Sequence, residues 1–271
     1  MQIDLYQSGK TIKVVDANGD IIEIPAPQPQ FLGMPILRVK ENYLVIDVAF
    51  VKEDGVVREE FKLTRKHQLS SGKVVEEPIT EFVAFPLANE NFYRRVLFRK
   101  PYEAGNKPIC RSEDGIYPVP EFAGSLNASM EYVDEGGVNI ACGTCPFSRW
   151  KRFDGRNVRD CDLQIQIPVA AVIDDKVFPV AVRFRSSAFR QGKRIVDHIA
   201  YLSNQNVPPY NAGVELTVMS VSQMLDKPGL AGYVLAVKRI ESALFLALEG
   251  NHKSRVIDLY NSYRPETETG Y

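Results

Sequence analysis

The chain has 271 residues, of which 45% are hydrophobic and 25% charged, with a formal net charge of -1. That apolar content can fill a core and excludes a wholly disordered chain, and the length suits one large domain or two modest ones. A balance so close to zero excludes any global pull toward nucleic acid or anionic lipid, so a polyanion site must be a local patch.

The first region, 1–100, reads as β-rich, either part of a larger sheet or a sheet of its own. Lys10 to Val15 and Asp20 to Pro25 flank Asp16-Ala17-Asn18-Gly19, a hairpin turn signal. Pro25, Pro27 and Pro29 then break the pattern. Residues 36–51 form one long strand-like run. Residues 56–64 form a second, with Val57, Glu59, Phe61 and Leu63 on one strand face, and Lys52-Glu53-Asp54-Gly55 lies between. After a polar patch at Ser70, Ser71 and Gly72, residues 79–87 and 92–98 are two further strand-like segments. From Lys100 to Asp160, Gly, Pro, Asp and Asn become frequent and apolar runs short. A loop this long needs a function or a local staple.

Regular structure returns over 162–264. Leu163 to Ile173 and Val177 to Arg185 meet across Asp174-Asp175-Lys176 as a hairpin. The next segment reads as a helix capped by Ser186 or Ser187, with Phe189, Ile195, Ile199 and Leu202 near helical spacing and Pro208-Pro209 ending it. Residues 214–225 read as one strand, and Gly232 to Ile240 as its partner after the turn at Asp226-Lys227-Pro228-Gly229. Glu241 to Tyr263 reads as helical with a break at Gly250, burying Leu244, Leu248, Val256, Leu259 and Tyr260. The tail, 265–271, is polar and frayed. The order strand, strand, helix, strand, strand, helix predicts an α+β fold of mostly antiparallel β. Its expected form is an oligonucleotide-binding-type barrel with a metal-stapled insertion and a C-terminal helix. A ferredoxin-like or other α+β sheet fits the same order.

Cysteine carries the sharpest signal. The four, Cys110, Cys142, Cys145 and Cys161, all bound or lie within the irregular stretch. Cys142-Gly143-Thr144-Cys145 is a compact knuckle whose two thiolates can form one edge of a tetrahedron, with Cys110 and Cys161 supplying the other. Four thiolates suit structural Zn²⁺ in a closed site, so a zinc-binding subdomain is expected over 101–161. An iron–sulfur cluster, unliganded core cysteines and a Cys-x-x-Cys redox pair are the alternatives. His67, His198 and His252 are scattered and add no motif.

Cations and aromatics surround this cluster. Between Cys145 and Cys161 lie Phe147, Arg149, Trp150, Lys151, Arg152, Phe153, Arg156 and Arg159, five of them basic, against only Asp154 and Asp160. Rings offer faces to bases and cations meet phosphates. A second patch contains Tyr93, Arg94, Arg95, Arg99 and Lys100. A third contains Arg183, Arg185, Arg190, Lys193 and Arg194, beside a helix start able to receive phosphate. Packing of the rings around the knuckle, with the cations solvated, explains the same residues blandly. The nucleic-acid reading therefore names Tyr93, Arg95, Arg99, Arg149, Trp150, Lys151, Arg152, Phe153, Arg156, Arg159, Arg183, Arg185, Arg190 and Lys193.

The segments Cys110-Arg111-Ser112-Glu113-Asp114-Gly115, Cys142-Gly143-Thr144-Cys145-Pro146-Phe147 with Trp150, and Cys161 followed by strands resemble a group of phage and mobile-element proteins. They also resemble, broadly, the zinc-bearing single-stranded DNA-binding proteins of large tailed phages. The resemblance covers Cys110 to Ile240 and implies a zinc subdomain beside a strand-lined groove. It differs in offering four cysteines where that family uses a histidine, and in a shorter acidic tail.

The expected function is a non-enzymatic, zinc-stabilised binder of single-stranded DNA or RNA in phage-type replication or recombination. Replication proteins are possible partners of the short acidic tail at Glu266, Glu268 and Tyr271. A zinc-stapled protein-interaction or transcription-regulating module is one alternative. A metal-dependent nuclease using Asp174, Asp175, Asp197 and Glu241 is another, although no spaced acidic set, phosphate loop or nucleophile elbow demands it. No catalytic residue is assigned. Apolar stretches fall far below the roughly 18 residues a membrane helix needs, and MQIDLYQSGK lacks a secretory pattern. A cytoplasmic location without membrane contact is therefore expected, in a host cell if the protein is phage-encoded.

Overall fold

Strands form where β-branched and alternating residues run together, and the computed structural model describes residues 11–15, 21–25, 34–52, 55–68, 73–98, 108–119, 141–153 and 156–263. The chain divides into two units: a larger one (Met1–Leu87, Pro168–Val182, Tyr210–Tyr271) and a cysteine-bearing one (Ala88–Ile167, Arg183–Pro209).

In the larger unit β1 (Thr11–Val15) and β2 (Ile21–Pro25) form the expected hairpin, with Thr11 opposite Pro25. β3 (Ile36–Lys40), β4 (Tyr43–Lys52) and β5 (Gly55–Lys62) make an antiparallel meander. The run 36–51 is thus two strands, not one. The chain reverses at Glu41, whose φ is +53°, without the glycine or proline that would announce a turn. Cross-strand charges fix this edge: Arg38 pairs with Asp47 at 2.6 Å and with Glu60, and Lys40 reaches Glu60 at 2.6 Å. β6 (Thr64–Gln68) and β7 (Val74–Pro78) form a separate hairpin, and β8 (Glu81–Pro86) follows.

β13 (Cys161–Ile173) contributes its second half here and β14 (Lys176–Phe184) most of its length. Val169 to Val172 are apolar on both faces, as in a strand covered on both sides. The hairpin between them turns at Asp174 and Asp175, with φ of +48° and +63°. Both residues are in the left-handed region that a short hairpin requires and aspartate tolerates. Asp174 pairs with Arg65, and the Asp175 carbonyl lies 2.9 Å from His252 Nε2.

β15 (Val214–Ser220) and β16 (Tyr233–Ile240) complete the order β16-β15-β8-β13-β14-β3-β4-β5, in which β14 and β3 are parallel. Residues 214–225 are not a single strand. Ser220 ends β15 and caps α2 (Val221–Leu225) through a capping box: its hydroxyl accepts from Gln223 N–H, and the Gln223 side chain accepts from Ser220 N–H.

The fold is mixed α+β, and the expected oligonucleotide-binding barrel is absent. Among the described residues, strand pairing stops at β16 on one side and β5 on the other, and no ladder joins them. The sequence pattern of two hairpins and two helices specifies pairing between neighbours, and closure needs an additional ladder that this order lacks.

The C-terminal segment breaks at Gly250 as expected, into α3 (Ala243–Leu246) and α4 (Gly250–Ser262). Phe245, Val256 and Leu259 from these helices pack with Phe85, Leu87 and Ala170 in one core cluster. Among the described residues no helix is long and apolar enough to cross a membrane.

In the cysteine unit, β9 (Tyr93–Phe98) pairs with β10 (Pro108–Ser112) on one side and with the first half of β13 on the other. β11 (Lys151–Phe153) and β12 (Arg156–Val158) form a small hairpin. A 3₁₀ turn at Ser186–Ala188 leads into α1 (Phe189–Ser203), which buries Gly192, Ile195, Ile199 and Leu202. Neither Ser186 nor Ser187 caps it, since the turn itself supplies the entry and no side-chain cap is made. Gly192 lets the helix approach β14, because a Cβ there would lie 2.8 Å from Cβ and Cγ of Phe184. Gly192→Ala should therefore lower stability by about 1–2 kcal/mol, overpacking outweighing the helix-propensity gain of alanine. A urea midpoint equal to wild type would contradict the close packing.

Candidate nucleic-acid interface

The ladders of the cysteine unit determine which side chains share a face. Leu97 on the middle strand lies opposite Cys110 on one neighbour and Cys161 on the other, and Arg95 lies opposite Ser112 and Leu163. Cys110, Ser112, Arg95 and Cys161 therefore look to the same side. The knuckle is held near them by its own hydrogen bonds. Cys142 N–H donates to the Ile116 carbonyl at 2.8 Å, and Ser148 Oγ donates to the carbonyls of Cys142 and Cys145 at 2.5 and 2.8 Å. Cys142, Cys145 and Cys161 are buried and Cys110 is half-buried.

All four cysteines are free thiols. Burial pushes the Cys161 thiol up to about 12 and the Cys110 thiol up to about 11, with the neighbouring cysteines adding to the rise. Burial also raises Cys142, against the pull of a Ser112 hydrogen bond and the Arg95 charge.

The expected zinc centre is not found. Among the described residues no three or more His, Cys, Asp or Glu side chains are grouped to hold a metal ion. The structural Zn²⁺ assigned to Cys110, Cys142, Cys145 and Cys161, and the zinc-stabilised function built on it, are corrected accordingly. The reason lies in the ladder. Cys110 and Cys161 sit on strands either side of β9, so their backbones are separated by two strand spacings, about 9–10 Å. The spacing in sequence allows four sulfurs to converge but does not impose it. The cysteines instead behave as small core residues.

The cations form a second arrangement. Trp150 is 64% exposed, and the Arg159 guanidinium lies over its ring at 4.6 Å. Arg159 is tied down through Nη2 to the Leu163 carbonyl at 3.3 Å, and burial holds its guanidinium below the ordinary value while Asp162 opposes the shift. Asp162, adjacent to Cys161, was not singled out by its sequence context. Burial raises its carboxyl, and Arg185, Arg159 and Arg183 all pull it back down. One half-buried carboxylate thus faces three arginines. Lys151 pairs with Asp160 at 2.5 Å and lies 5.8 Å over the Phe147 ring. Lys193 pairs with Asp197 at 2.7 Å, one turn along α1. Arg149 reaches the Thr144 carbonyl at 3.5 Å. Arg95 donates to the Gly115 carbonyl at 3.1 Å and turns toward the thiols. The ring of half-buried Tyr93 lies 6.4 Å from that of Phe189. Among the described residues Arg152 and Arg190 are exposed and make no ion pair. Arg99 lies outside the described residues, as do the side chains of Phe153 and Arg156.

The carboxylates considered for a nuclease have local roles. Asp174 and Asp175 make the hairpin turn, Asp197 pairs with Lys193, and Glu241 pairs with Arg239 at 2.6 Å. All three cation-rich patches belong to one unit. The cysteine unit holds sixteen Lys and Arg against twelve Asp and Glu, a net of +4, while the larger unit holds seventeen against twenty-two, a net of -5.

No family model, curated protein or solved structure matches the chain. The resemblance to phage proteins therefore rests on the motifs quoted above.

Proposed function

We propose that this protein binds single-stranded nucleic acid through its cysteine unit, with neither a metal ion nor a barrel. The observation that carries the reading is the partition of charge: a chain of net -1 places +4 on the unit that also bears all three cation-rich patches. Exposed Arg152 and Arg190 meet phosphates. Half-buried Arg159 and Arg183, with exposed Arg185, keep an excess of positive charge around Asp162. Trp150 offers a ring to an unpaired base, held in place by the Arg159 guanidinium on one face. No catalytic group is required.

The test is a titration of fluorescent single- and double-stranded oligonucleotides across a salt series. Single strands should bind more tightly, and the logarithm of affinity should fall linearly with the logarithm of salt. Arg152→Gln with Arg190→Gln leaves no carboxylate unpaired and should make that slope shallower by about 1.4, two contacts at roughly 0.7 each. Absence of binding at low salt, or a slope the double variant does not change, would overturn the proposal.

A further inference from the structure

The turn between Glu113 and Tyr117 is fastened at nearly every polar group yet exposes an apolar tip. The Asp114 carboxylate accepts from Ser112 Oγ at 2.9 Å, Ile116 N–H at 2.7 Å and Tyr117 N–H at 2.9 Å. Burial would raise Asp114, but those hydrogen bonds outweigh it and hold the group below its ordinary value. The Gly115 carbonyl accepts from Arg95, the Glu113 carbonyl from Arg94, and the Ile116 carbonyl from Cys142 N–H of the knuckle. The Glu113 carboxylate is taken up by Arg94 at 2.8 Å and Arg111 at 3.0 Å. Gly115 has a φ of +75°, and a Cβ there would lie 3.1 Å from that of Tyr93. Despite this fastening, Ile116 and Tyr117 are each 57% exposed.

A rigid turn that leaves most of an isoleucine and a tyrosine in water gains little from their burial within the chain. Its acids are spent internally, so the tip presents a neutral aromatic surface within a unit of net +4. Its fastening runs directly to the cysteine knuckle, whose chain continues to the exposed ring of Trp150. Resting on the proposed nucleic-acid reading, we infer that Tyr117 is a second base-stacking platform of the same interface, pre-organised by Asp114 and Gly115. Two exposed rings on fastened loops suit a flexible strand whose bases are already unpaired, since ordering of the protein is not required on binding.

The experiment measures oligonucleotide affinity and salt slope for wild type, Tyr117→Ala, Tyr117→Phe, Trp150→Ala and the Arg152→Gln, Arg190→Gln pair, using a single-stranded oligomer and an abasic oligomer of equal length. Tyr117→Ala should weaken binding to the base-bearing strand roughly 5- to 150-fold, the range for losing one stacked base. It should leave the salt slope and the abasic affinity unchanged, and Tyr117→Phe should bind as wild type does. If Tyr117→Ala matches wild type while the arginine pair still flattens the slope, the stacking role is overturned and the nucleic-acid reading stands. Equal losses on the base-bearing and abasic strands would also overturn it, because they would indicate disturbance of the turn. Absence of wild-type binding overturns both.

Discussion

Phe85→Ala should cost about 3–5 kcal/mol of folding stability, a large share of what a domain possesses. Phe85 is completely buried in the larger unit, on the strand Glu81–Pro86. Its ring meets the edge of Phe245 at 5.8 Å with an interplanar angle of 68°, the geometry aromatic pairs favour. Phe245 in turn meets Tyr210 at 4.8 Å, and Tyr210 meets Tyr260 at 5.1 Å. Around them pack Leu87, Ala170, Val256 and Leu259. Gly213 makes this closeness possible, because a Cβ there would sit 2.6 Å from Leu244 Cβ and 3.1 Å from Phe85 Cε1. Deleting the ring removes both the transfer free energy and the support for two helices, and the fastened backbone at Gly213 limits collapse into the cavity. Urea unfolding at neutral pH measures the loss. A cost under about 1 kcal/mol would mean that the C-terminal helices do not depend on this contact, far below the range for a filled aromatic site.

Much of this architecture was readable from residue patterns. The two-residue spacing of apolar side chains marked most strands, and Ile195, Ile199 and Leu202 marked α1. Asp174-Asp175 announced its hairpin and Gly250 the helix break. Two boundaries escaped because their signals were weak or overlooked. Glu41 turns the chain with an ordinary side chain at positive φ, which only the pairing of the flanking strands can enforce. Ser220 and Gln223 carry the spacing of a capping box, which the β-branched run around them concealed. Barrel closure was a global property that local periodicity does not encode, and the strand order is open.

The site shows the same division between composition and placement. Cationic patches were visible as counts, yet their assembly in one unit depends on β13 delivering Asp162, β14 delivering Arg183 and the residue after β14, Arg185, to the same place. Asp162 and Tyr117 lacked any motif. The first became meaningful through its three arginine neighbours and the second through exposure on a fastened turn. The cysteines illustrate the opposite case. A strong spacing signal met a ladder that holds Cys110 and Cys161 on opposite sides of Leu97.

Cys161 should make the folded state sensitive to alkali. Its thiol is pushed up to about 12 by burial, against an ordinary value of 9.0. Below pH 9 both the folded and the unfolded chain keep the proton, and the group contributes no pH dependence. Between 9 and 12 the unfolded chain releases it while the folded chain retains it, so stability falls as pH rises. The slope for one such group is about 1.4 kcal/mol per pH unit, on the order of 4 kcal/mol over the whole window. Cys110, pushed up to about 11, acts in the same direction, but its greater exposure makes its share smaller. Lysines and tyrosines titrate in the same range, so the informative quantity is the difference in slope between wild type and Cys161→Ala, from urea unfolding at pH 8 to 11. The variant should start less stable and lose stability more slowly with pH. Parallel curves would mean that the Cys161 thiol titrates alike in the folded and unfolded chain, so that burial does not raise it.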